Sequence, residues 1–204
     1  MLKIYFIRHG ETEWNTQGIF QGRNDSPLTE KGKEQALKLA RAIEDIEFSA
    51  FYSSPLGRAI ETTTILKGNR NQNINPIDEF QEIAMGRVEG IPREEFEASF
   101  PEEYFNFWND AERYDPIAYS GESYQSVLDR AEAGLKKLAQ THTDGKILVV
   151  THGVMLKAIC NFILGHGISE FSRQQVPENT SLTIVTVKDG QFEISVFSNT
   201  EHLD

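Results

Sequence analysis

Two short apolar runs constrain the fold most, because each ends abruptly in a histidine followed by a glycine. Ile4–Ile7 is rich in aromatic and β-branched residues and stops at Arg8-His9-Gly10. Ile147–Val150 is the clearest apolar run in the chain, and it leads into Thr151-His152-Gly153. Runs of this length and composition predict strands buried on both faces, as in a parallel sheet that is covered by helices.

Amphipathic segments alternate with these and other predicted strands. The patterns predict strands at 50–53 and 74–78, and helices over roughly 30–46, from Arg58 to about 67, over 123–140 and from Gly153 to about 164. This alternation predicts an α/β fold, a three-layer α/β/α sandwich with a mostly parallel central sheet. Runs at 182–188 and 191–197 meet at Asp189-Gly190, which is typical of a β-hairpin, so we expect an antiparallel strand at one edge.

Residues 79–121 do not follow this alternation. They carry Gly86, Gly90 and Pro92, followed by short helical pieces rich in Glu and Phe. We interpret them as a short helical lid on the substrate side of a single domain that spans 1–204, because two full domains would be cramped in 204 residues.

Composition narrows the class of function. The net charge of −11 argues against a general nucleic-acid or anionic-membrane surface, although a few clustered arginines can still form a pocket for an anion. No apolar run approaches the roughly 18 residues of a membrane span, and the first residues enter a strand with no leader sequence. The single cysteine, Cys160, forms no intramolecular disulfide. We therefore expect a cytoplasmic, enzyme-like protein.

Three strand-to-helix junctions carry the candidate site. Arg8 and His9 follow the first strand, Arg58 follows the second, and His152 follows the strand at 146–151. Each alone is typical of a turn or a solvated helix face, but the carboxyl ends of parallel strands share one edge, where these four side chains should converge.

Two arginines and two histidines suit a tetrahedral dianion. Guanidinium groups offer bidentate donors to phosphoryl oxygens, and a histidine attacks phosphorus through a neutral nitrogen when its other nitrogen donates to a carbonyl. A metal centre is disfavoured, because His9 and His152 lack nearby Cys or Asp ligands and two arginines would repel a cation.

Four blocks in chain order resemble the histidine phosphatase superfamily, which contains cofactor-dependent phosphoglycerate mutases and broad-specificity phosphatases. The blocks are Arg8-His9-Gly10-Glu11-Thr12-x-x-Asn15, Asp25-Ser26-Pro27-Leu28-Thr29 with Gly32, Ser53-Ser54-Pro55-x-x-Arg58-Ala59-x-x-Thr62, and Thr151-His152-Gly153. The resemblance implies the same three-layer fold. It also implies that His9 is a nucleophile that becomes phosphohistidine. It places the phosphoryl group against a larger set of residues: Arg8, Asn15, Gln21, Gly22, Arg58, His152 and Gly153.

The leaving alkoxide needs an acid, because a poor leaving group must be protonated as it departs. The segment 79–90 resembles the acid region of the family, with Glu82 at the position of the acid. A bound dianion would favour the protonated form that Glu82 needs. From the residues alone, Glu79 and Glu89 remain candidates. Val88 stands where many members carry tryptophan, a difference that we expect to affect packing and leave Glu82 in place.

Hydrolysis of small phosphomonoesters is favoured over a mutase reaction. The mutases of the family have longer chains and paired arginines in the lid, whereas 91–121 holds only isolated Arg93 and Arg113. A phosphatase needs no cofactor, and a bisphosphoglycerate primer would be required only by the mutase. A non-catalytic phosphate-binding regulatory module is a remote alternative, which should have lost His9, Arg58 or His152.

The sequence does not identify the residues that select a substrate, the oligomeric state or the physiological substrate. The lid arginines Arg87, Arg93 and Arg113 and the lid aromatics either pack inside the lid or line its mouth. The aromatics are Phe96, Phe100, Tyr104, Phe105, Phe107 and Trp108. The remaining histidines, His142, His166 and His202, are expected to be surface or capping groups.

Overall fold

A mixed six-stranded sheet runs through the computed structural model, which describes residues 1–204. Its strands are β1 (Leu2–Arg8), β2 (Ala50–Ser53), β3 (Ile74–Pro76), β4 (Gly145–Thr151), β5 (Leu182–Lys188) and β6 (Gln191–Asn199). The order is β3-β2-β4-β1-β5-β6. The first four of these strands are mutually parallel, whereas β5 runs antiparallel to β1, and β6 antiparallel to β5. The predicted α/β class and the antiparallel C-terminal hairpin are confirmed.

Eight helices accompany the sheet. They are α1 (Glu13–Gln17), α2 (Glu30–Ala42), α3 (Gly57–Lys67), α4 (Arg93–Ser99), α5 (Pro101–Asn109), α6 (Tyr124–Thr141), α7 (Gly153–Leu164) and α8 (Ile168–Phe171). Short 3₁₀ turns lie at Asp78–Phe80, Gly86–Val88, Pro116–Tyr119 and Glu201–Leu203. None of these helices is both long enough and apolar enough to span a bilayer.

The core lies on both faces of the sheet, which explains the continuous apolar runs. Successive side chains of a strand point to opposite faces. Ile4 and Phe6 of β1 therefore join the larger cluster with α6 and α7, while Tyr5 and Ile7 join a second cluster with α2 and α3. Both faces are covered by helices, as expected for a three-layer sandwich.

Two predicted boundaries differ from the structure, and one short helix is not predicted. The helix predicted over 30–46 ends at Ala42, because Ile43 leaves the helical conformation with φ −112° and ψ 13°. The side chain of Arg70 binds the carbonyls of Ile43 and Glu44 in the turn that follows. The third strand ends at Pro76, and a 3₁₀ turn follows at 78–80. The polar stretch after β1 contains the short helix α1, which the sequence does not predict.

Register brings the junctions together. In the β1–β4 pair, Arg8 lies opposite Thr151, so His9 and His152 leave the sheet at the same level. In the β2–β4 pair, Ser53 lies opposite Val150, which places the start of α3 at the same edge. The chain segment 79–121 packs over this end of the sheet.

Candidate active site

A cavity of about 100 Å³ opens at the carboxyl edge of β1 and β4. Every predicted site residue except His152 lines it: Arg8, His9, Asn15, Gln21, Gly22, Arg58, Glu82 and Gly153. The ring of His152 lies beside that of His9, with 5.2 Å between ring centroids. The structure thus brings the predicted residues of all three junctions into one site.

The His9 ring is held in one tautomer. Its Nδ1 lies 2.8 Å from the carbonyl oxygen of Gly10, which only accepts, so Nδ1 carries the proton. Nε2 then carries no proton, and its lone pair accepts a long hydrogen bond of 3.3 Å from Nε of Arg58. Burial, together with the positive charges of Arg58 and Arg8, holds the pKa of His9 well below its usual value. The ring is therefore a neutral nucleophile with Nε2 as its reactive atom.

Arg58 is fixed by the loop that precedes α2. Its Nη1 donates to the Asn24 carbonyl at 2.7 Å and to Oδ1 of Asp25 at 2.9 Å, and its Nη2 donates to the Gly22 carbonyl at 2.7 Å. The Asp25 carboxylate also accepts the backbone N–H groups of Gly57 and Arg58, so it caps the start of α3. Burial lowers the pKa of Arg58, and the negative charge of Asp25 opposes that shift.

Arg8 keeps an unpaired donor in the site. Its Nη1 donates to the Pro177 carbonyl at 2.6 Å, while its Nε is buried with no partner. Burial lowers the pKa of Arg8 to about 10, with the charge of Glu82 opposing the shift, so the side chain stays positive near neutral pH. A buried, charged and unpaired donor is suited to an anionic ligand.

His152 presents a second spare donor. Its Nε2 lies 2.7 Å from Oγ of Ser54, which itself accepts a long 3.4 Å hydrogen bond from the Leu56 N–H. A hydroxyl can accept one hydrogen bond and donate another. We assign the hydroxyl proton of Ser54 to the contact with Nε2, which leaves the ring proton on Nδ1, the nitrogen that is buried without a partner. Burial, followed by the positive charges of Arg58 and Arg8, holds the pKa of His152 well below its usual value.

Gly153 allows α7 to begin against Arg8. A Cβ atom at this position would lie 2.6 Å from Cγ1 of Val176 and 3.6 Å from the guanidinium carbon of Arg8. The close approach brings the N-terminus of α7, which favours negative charge, beside the cavity.

The loop residues complete the cavity wall. Oδ1 of Asn15 accepts from the Thr12 N–H at 3.1 Å and from Nδ2 of Asn179 at 3.4 Å, which leaves the amide N–H groups of Asn15 as donors. Oε1 of Gln21 is buried without a partner. Gly22 has φ +51°, and a side chain there would collide with the Glu89 carboxylate.

Only one of the three candidate acids reaches the cavity. Oε1 of Glu82 accepts from the N–H groups of Ile83 (2.9 Å) and Met155 (3.1 Å), and Oε2 accepts from that of Val154 at 3.1 Å. The carboxylate therefore sits at the N-terminus of α7.

The other two carboxylates have structural partners. Glu79 pairs with the exposed Lys137 at 2.8 Å. Glu89 accepts from the N–H groups of Arg23, Asn24 and Met85, and so ties the loop around Gly22 to the segment after Glu82. Val88, which departs from the common family pattern, is buried in the core.

The lid contributes one arginine and two of its predicted aromatics to the cavity. Arg93 lines the mouth with Phe107 and Trp108, and its guanidinium carbon lies 5.5 Å from the centre of the Trp108 ring. It makes no ion pair. Arg87 instead bonds to the Ala118 carbonyl, and Arg113 pairs with Asp110 at 3.7 Å. Among the other lid aromatics, Phe105 is exposed. The remaining three pack within the lid: Phe96, Phe100 and Tyr104.

The histidines outside the site lie where helices or the chain end. His142 caps α6 and is 2.9 Å from the hydroxyl of Tyr52, His166 is exposed, and His202 lies near Thr180. No group of three or more His, Cys, Asp or Glu side chains is arranged to hold a metal ion.

The sequence does not predict several residues that hold the site residues in place. Ser54 and Asp25 fall inside the quoted blocks, but spacing does not reveal that they orient His152 and Arg58. Asn179, whose Nδ2 donates to the His9 carbonyl at 2.9 Å, lies in a segment with no distinctive pattern. Their polar side chains become informative only when the fold shows their partners.

Comparisons with known proteins match nearly the whole chain. A sequence profile of the histidine phosphatase superfamily (branch 1) matches residues 4–200. The chain is 30% identical over 203 residues to the uncharacterized phosphatase PhoE of Bacillus subtilis, a match that covers 100% of this chain and 97% of that protein.

Two solved structures share the whole fold. YhfR of Bacillus stearothermophilus superposes with a TM-score of 0.95 and 33% identity over 100% of both chains. A mutant phosphoserine phosphatase of Entamoeba histolytica, in complex with phosphoserine, superposes with a TM-score of 0.86 and 30% identity, also over 100% of both chains. The similarity in sequence and in fold therefore extends over the entire length.

Proposed function

Because the chain belongs to the histidine phosphatase superfamily, we propose that it is a phosphatase that hydrolyses small phosphomonoesters through a phosphohistidine intermediate on His9. One observation carries the proposal: the neutral Nε2 of His9 shares a cavity wall with the donors of Arg8 and Arg58, beside Nδ1 of His152, which is buried without a partner. Phosphoryl transfer requires mainly positioning and charge neutralisation, and this arrangement supplies both without a metal.

In the first step, Nε2 of His9 forms a bond to phosphorus while the ester P–O bond breaks. Positive charge develops on the ring as its lone pair is used, and the Nδ1–H bond to the Gly10 carbonyl stabilises it. Arg8, Arg58 and His152 donate to the phosphoryl oxygens. These fixed, buried donors stabilise the transition state at little reorganisation cost.

The proton for the leaving oxygen comes from Glu82. A carboxylate offers about four lone-pair positions, and backbone N–H groups occupy two on Oε1 and one on Oε2. The remaining position, on Oε2, carries the proton. The negative charge of a bound phosphoryl group favours this protonated form. Transfer of the proton releases the alcohol and leaves a carboxylate.

In the second step, that carboxylate takes a proton from water while the water oxygen attacks phosphohistidine. The N–P bond breaks, phosphate is released, and His9 and protonated Glu82 are restored. The cycle consumes one water and requires no primer, so the proposed reaction uses no cofactor.

The substrate class follows from the size and charge of the cavity. About 100 Å³ suits a phosphoryl group with a small alcohol portion at the mouth, where Arg93 and Trp108 lie. The E. histolytica relative, solved with phosphoserine, supports a small phosphomonoester. A mutase reaction would need further cations for a substrate carboxylate, and Arg93 is the lid arginine that reaches the cavity.

Substitution of the nucleophile tests the proposal. His9→Ala should abolish phosphate release from every phosphomonoester in a panel, whereas His166→Ala, which changes an exposed histidine, should retain full activity. Incubation with 3-phosphoglycerate and a trace of bisphosphoglycerate then separates the two reactions: free phosphate is expected. Predominant isomer formation that depends on the bisphosphate would overturn the phosphatase assignment, and activity retained by His9→Ala would overturn the mechanism.

A further inference from the structure

Glu82 lies on a segment that has almost no regular structure. After the 3₁₀ turn at 78–80, residues 81–85 belong to neither a helix nor a strand. We call 79–85 the acid segment. A loop of this kind has no backbone ladder to hold it, so other groups must bind its carbonyl oxygens. Several of those groups are side chains. One is Thr151, whose hydroxyl donates to the Phe80 carbonyl at 2.8 Å.

Arg130 of α6 binds three more of these carbonyls. Its Nη1 donates to the carbonyls of Glu79 at 2.7 Å and Gln81 at 3.0 Å, and its Nη2 reaches that of Glu82 at 3.5 Å. Its Nε and Nη2 form a two-pronged contact with the Glu122 carboxylate at 2.8 and 2.9 Å. All five N–H bonds of this guanidinium are therefore used, and three of them go to the backbone of the acid segment.

Glu122 holds the same segment from its other end. Its Oε2 accepts from the Ala84 N–H at 3.1 Å, and its own N–H donates to the Ala84 carbonyl at 2.7 Å. Burial alone would raise the pKa of Glu122, but its hydrogen bonds with Arg130 and the charge of Arg130 outweigh burial, and the pKa is lowered. Glu122 is therefore a stable anion that fixes the Arg130 fork.

α6 is packed closely enough to act as a rigid support. A Cβ atom at Gly134, one turn after Arg130, would collide with the ring of Phe80. The absence of a side chain at Gly134 lets the helix backbone approach the acid segment closely. Arg130 thus reaches the carbonyls from a fixed element, and α7 holds the Glu82 carboxylate from the other side.

We propose that Arg130, oriented by Glu122, is a positioning residue for the general acid: it fixes the backbone on either side of Glu82, so that Oε2 stays aligned with the leaving oxygen. The inference rests on the proposed function, in which Glu82 is the acid. Arg130 does not line the cavity, so it acts only through Glu82.

Leaving-group dependence distinguishes this role from a general structural one. An alkoxide needs protonation as it leaves, whereas p-nitrophenolate is a weak base that leaves without an acid. Misplacement of a catalytic group by about 1 Å costs on the order of 100-fold. Loss of the Arg130 contacts should therefore reduce hydrolysis of alkyl phosphates far more than that of p-nitrophenyl phosphate.

The experiment compares kcat/KM, which reports the steps up to the first irreversible one, for glycerol phosphate and p-nitrophenyl phosphate. Arg130→Lys keeps the charge but loses the planar fork, since an ammonium has three donors in place of five. Glu122→Gln removes the anion that orients Arg130. Lys137→Met is the matched control, because Lys137 also joins α6 to the acid segment but binds only the Glu79 side chain. Glu82→Gln serves as the reference for loss of the acid.

Arg130→Lys should raise the ratio of kcat/KM for p-nitrophenyl phosphate to that for glycerol phosphate by about 10- to 100-fold, as Glu82→Gln does, while Lys137→Met leaves it unchanged. If Arg130→Lys fails to fold, Glu122→Gln should raise the ratio in the same direction. An equal loss with both substrates, or an unchanged ratio, would overturn the positioning role. If Glu82→Gln itself leaves the ratio unchanged, Glu82 is not the acid, and that part of the proposed function fails with the inference.

Discussion

Replacement of Ser54 by alanine removes the hydroxyl that determines which nitrogen of His152 carries the proton. Ser54 Oγ lies 2.7 Å from Nε2 of His152, and neither residue exposes any surface. Without that donor, the proton can move to Nε2, and the lone pair of Nδ1 then faces the phosphoryl oxygens. A hydrogen bond to the transition state is replaced by repulsion.

The expected loss follows from the strength of that hydrogen bond. A hydrogen bond to a charged group contributes about 1.5 to 3 kcal/mol, and each 1.4 kcal/mol corresponds to about tenfold in rate. Ser54→Ala should therefore lower kcat/KM by roughly 10- to 100-fold. It should also lower the free energy of unfolding by about 1 to 3 kcal/mol, because Nε2 of His152 is left buried without a partner.

Ser53→Ala separates these two effects. Ser53 is equally buried, and its hydroxyl donates to the Ser54 carbonyl at 2.8 Å, so its loss removes a buried hydrogen bond without touching His152. Steady-state kinetics and urea unfolding of both variants should show similar losses of stability, with a change in kcat/KM for Ser53→Ala of less than about threefold. Equal losses of kcat/KM in the two variants would refute the assigned role of Ser54.

Two further changes test the mouth of the site and the buried histidines. A single exposed charge contributes about 1 kcal/mol, so Arg93→Gln should lower kcat/KM about fivefold for phosphate esters that carry a second anionic group. The same variant should hardly change kcat/KM for esters without that second group, and the control Arg113→Gln should change neither value. Because the pKa values of His9 and His152 are held well below their usual range, the unfolded chain takes up two protons below pH 6.5 that the folded protein does not. Urea unfolding should therefore give a free energy about 3 kcal/mol lower at pH 5.5 than at pH 7.5, and a flat profile would contradict the neutral assignment of both rings.

The sheet is predictable from the residues because burial on both faces leaves a strong signal. The central residues of β1 and β4, Ile4–Ile7 and Ile147–Val150, are apolar on both faces of the sheet, and the Asp189-Gly190 turn identifies the hairpin. Helix ends are less predictable. Ile43 and Ile46 continue the helical spacing of apolar residues, but they lie in the turn after α2 and pack against the core from there. α1 is missed because its five residues have no apolar face, and a capping box between Thr12 and Asn15 forms it.

The centre of the site is also predictable, whereas its supports are not. Arg8, His9 and His152 follow strands directly, so topology alone places them at one edge. Asp25 and Arg130 act through hydrogen bonds between segments far apart in the chain, and their types and spacing resemble those of any solvated polar residue. Such roles require the partner atoms to be known.

The most direct test of the account is the covalent intermediate itself. The enzyme is mixed with a phosphomonoester, quenched within its turnover time under alkaline conditions, where phosphohistidine persists, and digested for peptide mapping. A single phosphoryl group is expected on His9, absent from His9→Ala and more abundant in Glu82→Gln with p-nitrophenyl phosphate, because that variant lacks the base for the second step. Turnover with no phosphoryl group on His9, or with the group on another residue, would contradict the central claim.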